Sequence, residues 1–124
     1  MSHIDLLVDS GSPLSLTSFA THFFSLARIE NFERRSSENY VDGYYFLAKA
    51  SQGSIRVMLS DDDSSHDFRF WIQLTATSGN VSHLEKEGEA LATELVRHGY
   101  KVAKCIDFGR NNEQRLDYLP KLRV

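Results

Sequence analysis

Two stretches of strict period-two alternation constrain this chain more than any other feature. Ile55, Val57 and Leu59 are separated by Arg56 and Met58, and Phe68, Phe70, Ile72 and Leu74 are separated by Arg69, Trp71 and Gln73. Successive side chains of a strand point to opposite faces, so this pattern builds two strands with one buried face. The connection Ser60-Asp61-Asp62-Asp63-Ser64-Ser65-His66-Asp67 is wholly polar and reads as an exposed loop.

The rest of the chain supplies elements to cover that face. Ile4, Leu6 and Val8 alternate with Asp5 and Leu7 as in a half-buried first strand. In Gly11-Ser12-Pro13, Ser12 reads as a helix cap and Pro13 as the first helical position. Leu16, Phe19, Ala20, Phe23 and Ala27 then recur at helical spacing. After the polar stretch 30–40, Asp42-Gly43 is a turn dipeptide before the apolar run Tyr44 to Ala48, which predicts a hairpin.

A second helix is predicted over 78–98. Val81, Leu84, Leu91 and Leu95 keep phase, Ser82 and Glu85 stand at capping-box spacing, and Gly99 is placed to end it. Gly88 lies on the apolar face; a mid-helix glycine costs about 1 kcal/mol relative to alanine, a cost that close packing on a sheet would compensate. Tyr100, Val102, Ile106 and Phe108 mark a last strand, and residues 109–124 read as a mobile tail. The expectation is one α+β domain over residues 1–124, in the order β-α-β-β-β-α-β. Its sheet is mostly antiparallel with both helices on one face.

Composition narrows the function. With 124 residues, 41% of them hydrophobic, the chain can bury one core unaided. A net charge of −3 lacks the basic footprint of a nucleic-acid binder, so no nucleic-acid partner is expected. Cys105 is the one cysteine, which excludes an internal disulfide and suits a reducing cytoplasm. Asp5 and Asp9 stand where a signal peptide would be basic, and no apolar run approaches the roughly 20 residues of a membrane span.

Catalytic patterns are missing. The five histidines are scattered, no G-x-S-x-G elbow or glycine-rich phosphate loop occurs, and Cys105 lies in a strand pattern typical of packed, inert thiols. No enzyme activity and no cofactor are therefore expected. Asp61, Asp62, Asp63, His66 and Asp67 could offer donors to a metal, but without the alternating acids and central glycine of an EF-hand loop no metal site is expected.

Binding is the remaining role. If Phe68, Phe70, Ile72 and Leu74 face the helices, Arg69, Trp71 and Gln73 face away together with Arg56 and Met58. Trp beside Arg and Met is hot-spot composition. Trp71 is either such an anchor or a packing residue beneath the tail, against Tyr118 and Leu119. The acidic loop is either a lure for a cationic partner or a solvated turn.

The stretch Glu33-Arg34-Arg35-Ser36-Ser37-Glu38-Asn39-Tyr40-Val41-Asp42-Gly43-Tyr44-Tyr45-Phe46, followed by two strands around an acidic loop, resembles immunity proteins of bacterial contact-dependent growth inhibition systems, a likeness covering residues 33–74. The resemblance implies a cytoplasmic inhibitor of the toxic C-terminal domain, often a nuclease, of a cognate protein. On that reading Asp61, Asp62, Asp63 and Asp67 pair with the toxin's basic groove, Arg69 lies beside them, and Trp71 or Tyr45 fills a pocket. Two other classes compete: a small metal-dependent enzyme using His66 and its neighbouring aspartates, and a single-stranded nucleic-acid binder stacking bases on Tyr44, Tyr45 and Trp71 with Arg56 and Arg69 as a basic strip.

Overall fold

A computed structural model describes residues 3–10, 14–37, 43–50, 55–61, 68–76, 81–106 and 114–118. In chain order the elements are β1 (His3–Asp9), α1 (Leu16–Leu26), β2 (Phe32–Ser36), β3 (Tyr44–Ala50), β4 (Ile55–Asp61), β5 (Phe70–Ala76), α2 (Val81–Arg97), β6 (Lys101–Ile106) and β7 (Gln114–Tyr118). The strands form one sheet in the order β2-β3-β4-β5-β1-β6-β7. Every neighbouring pair is antiparallel.

The α+β class, the antiparallel sheet and the two helices on one face agree with the expectation. The period-two residues Ile55, Val57, Leu59, Phe70, Ile72 and Leu74 share one core with Leu16, Phe19, Phe23, Leu84 and Leu95 from the helices. Phe19 of α1 stacks on Phe70 with ring centroids 4.2 Å apart, and Tyr100 meets its edge at 5.3 Å. Burying each such ring contributes about 1.5–3 kcal/mol.

α2 carries the chain from β5 to β6, and these two strands flank β1. The crossover presses the helix on the sheet: a Cβ on Gly88 would sit 3.4 Å from Ile4 Cγ2 and 3.8 Å from Leu74 Cδ1. Gly99 ends the helix with φ +91°, and the backbone N–H of Tyr100 returns to the Leu95 carbonyl at 3.1 Å.

Several expectations need correction. α1 is capped by Ser15, whose hydroxyl accepts from the Ser18 N–H at 3.1 Å; Gly11-Ser12-Pro13 lies outside the described residues. The polar stretch 30–40 contains β2, joined to β3 in the predicted hairpin, with the Ser37 N–H bonded to the Gly43 carbonyl at 2.9 Å. All five residues of β2 are exposed, so an edge strand left no alternation to read. The supposed tail contributes β7, paired with β6 from Gln114 opposite Ile106 to Tyr118 opposite Val102.

Phe68 is on the wrong side in the sequence reading. Residues 68 and 69 precede the strand, the alternation breaks there, and Phe68 is buried with Leu7, Ala103 and Cys105 on the face away from the helices. β1 is buried on both faces because it is central: Leu7 is 3% exposed and Asp5 0%.

Candidate functional site

Strand pairing lays out the helix-free face as rows of side chains running across the sheet. One row passes from Arg35 to Tyr45 and, further on, from Ser60 to Trp71 and Leu7. The next holds Glu33, Leu47, Met58, Gln73, Asp5 and Cys105. A third holds Lys49, Arg56, Thr75 and His3.

These rows divide into two halves. Over β5, β1 and β6 the face is closed: Leu7, Phe68, Ala103 and Cys105 are buried with Trp71 packed against them, and the Lys101 ammonium stands 4.9 Å over the Phe68 ring. Over β2, β3 and β4 it is open, with Glu33, Arg35, Lys49 and Arg56 exposed and Tyr45, Leu47 and Met58 half-buried. A shallow cleft of about 550 Å³ at its outer edge is lined by Asn31, Glu33, Arg35, Leu47 and Lys49 among others.

The closed half is organised by a carboxylate. Asp5 Oδ1 accepts from the Trp71 indole N–H at 2.6 Å and from the Gln73 amide at 3.2 Å, while Oδ2 lies 3.4 Å from His3 Nε2. A buried carboxylate is tolerated when donors converge on it. Trp71 is thus half-buried, with its polar edge turned into the protein, and Cys105 is buried and outside any disulfide.

Of the sequence-predicted binding residues, Tyr45, Asp61, Arg69 and Trp71 fall within the described residues. Asp61 ends β4, is only 7% exposed, and pairs with Phe70, whose side chain faces the helices; as an exposed lure it is overturned. Ser60 is buried beside it, so the supposed loop begins as strand. Asp62, Asp63, His66 and Asp67 lie outside the described residues. Arg69 is exposed, its guanidinium 5.7 Å from the Phe70 ring centroid.

Tyr45 stands on the open half beside Arg35, whose guanidinium pKa is raised by hydrogen bonds to Glu33 first and Tyr45 second. The stacking platform fails in part. Tyr44 falls on the other face, with its hydroxyl 2.9 Å from Thr17 and the Arg34 guanidinium 4.9 Å over its ring. Among the described residues no three His, Cys, Asp or Glu side chains gather closely enough to hold a metal ion, and no helix is long and apolar enough to cross a membrane.

Three residues of interest escaped the sequence reading. Asp5 is buried, and alternation alone cannot distinguish such an interior strand from a half-covered one. Lys49 lay just past the apolar run, and Arg35 belongs to the unread strand β2. Compared with family models, curated proteins and solved structures, the chain matches none.

Proposed function

We propose that the chain is an immunity protein that acts in the cytoplasm by binding the toxic C-terminal domain of a cognate contact-dependent growth inhibition protein and covering its active site. The reading rests on the resemblance over residues 33–74. The observation that carries it is that this segment supplies the consecutive strands β2 to β5, a meander whose helix-free side is open over β2 to β4. There Tyr45, Leu47 and Met58 offer apolar surface among Glu33, Arg35, Lys49 and Arg56, a rim-and-centre composition suited to protein recognition.

Inhibition by occlusion needs area rather than chemistry. A standard interface takes about 800 Å² from each partner, roughly a tenth of the 7714 Å² this chain exposes. The test is calorimetric titration of the chain with the C-terminal domain of a large secreted protein encoded next to it, paired with co-expression of the two. Tight one-to-one binding and rescue of growth are expected. Absence of binding by the wild-type chain would overturn the proposal.

A further inference from the structure

Lys49 and Arg56 face each other across β3 and β4. Directly opposed residues of an antiparallel pair hold their Cβ atoms about 5 Å apart, and like charges in that relation are destabilising. Both side chains are exposed, and neither makes an ion pair with any carboxylate among the described residues. The nearby Glu33 is engaged by Arg35 at 3.2 Å. Among the described residues the open half thus carries three cations, Arg35, Lys49 and Arg56, against one carboxylate, Glu33, in a chain whose net charge is −3.

We infer that this half of the sheet docks an acidic protein surface, with carboxylates on Lys49 and Arg56 and an apolar side chain against Leu47 and Met58. The inference deepens the proposed function, on which it rests for the identity of the partner, and it reverses the charge that the sequence suggested. The contact region on the toxin is acidic, as a carboxylate-lined active site would be, rather than a basic groove.

Local charge selects the partner class. An anion bridging the two cations removes their repulsion, so complex formation is favoured by relief of strain already present in the free protein. Leu47 lies directly opposite Met58, in the row beside the cations, which supplies the dry centre that fully desolvated contacts require. Nucleic acid fits this face less well. Tyr44 is on the other side and the Trp71 indole is held by Asp5 on the closed half, so the open half offers Tyr45 alone of the three rings for base stacking.

The experiment has two arms. In the first, the isotope-labelled chain is titrated with a soluble peptide of repeated Asp-Asp-Leu and, separately, with oligothymidylate. Saturable amide shifts confined to residues 45–49 and 56–58, weakened by salt and lost in the Lys49→Glu/Arg56→Glu double variant, are expected for the peptide. No shifts on these strands, or tighter binding of the oligonucleotide at equal ionic strength, would overturn the inference.

In the second arm the cognate toxin domain replaces the peptide. The double reversal should weaken binding by at least about tenfold, and the neutral Lys49→Gln/Arg56→Gln variant should fall between it and the wild type. Wild-type binding that is unchanged in both variants removes the assigned surface and leaves the immunity reading standing. Failure of the wild-type chain to bind the toxin removes that reading, while the peptide arm still decides the surface.

Discussion

The indole N–H of Trp71 donates to Asp5 Oδ1 at 2.6 Å, diagonally across two neighbouring strands in which Asp5 itself lies opposite Gln73. Hydrogen bonds to a charged acceptor are worth about 1.5–3 kcal/mol, and stripping the acceptor also orphans its donors. Asp5→Ala should therefore lower stability by about 3 kcal/mol. Asp5→Asn, which retains an acceptor oxygen, should lose about half as much. Urea denaturation would show the midpoints falling in that order with an unchanged slope.

Tyr100 gives the fold an alkaline limit. The phenol is 6% exposed and hydrogen-bonded to His22 Nδ1, and burial raises its pKa above the ordinary 10.0. The unfolded chain releases this proton at lower pH than the folded one, so the stabilisation is complete below pH 10.0 and is lost as pH rises through the folded value. Thermal melts from pH 8 to about 11 should show the midpoint dropping at the alkaline end. In Tyr100→Phe that component of the drop should vanish.

Gly88 is a site for improvement. A methyl group there would stand 3.4 Å and 3.5 Å from two Ile4 carbons, ordinary contact distances, while alanine removes a helix penalty of about 1 kcal/mol. Gly88→Ala should raise the melting temperature by about 4 °C. A lower value would mean that the contact with Ile4 costs more than the helix penalty it relieves.

Lys49→Glu should make the free protein more stable, because it replaces a repulsive cross-strand pair with an attractive one worth about 0.2–1 kcal/mol. The gain should shrink as salt is added. A decrease in midpoint at low salt would contradict the repulsion on which the docking surface depends.

The sequence made the core strands and both helices legible because their burial is one-sided and therefore periodic. Ile55, Val57, Leu59, Phe70, Ile72 and Leu74 announce their face by spacing alone. β2 was illegible because Phe32 to Ser36 are exposed on both sides, and Asp5 was missed because both sides of β1 are buried. Both failures share one cause: period-two patterning reports a difference between two faces, and neither strand has one. The candidate site suffered most. Trp71 and Arg56 were placed on the correct face, but their partners Asp5 and Lys49 are joined to them only through strand pairing.

The place of β1 also shapes the route to the native state. Residues 3–9 form an interior strand of the sheet, yet their neighbours are residues 70–76 and 101–106. On the ribosome this strand must wait, with Ile4, Leu6 and Val8 unpaired, until most of the chain has been made. Closing such long loops before contacts repay the entropy slows folding. The meander β2 to β5 needs only short-range pairing and can assemble first, so the segment proposed to meet the toxin is also the one suited to nucleate the protein that carries it.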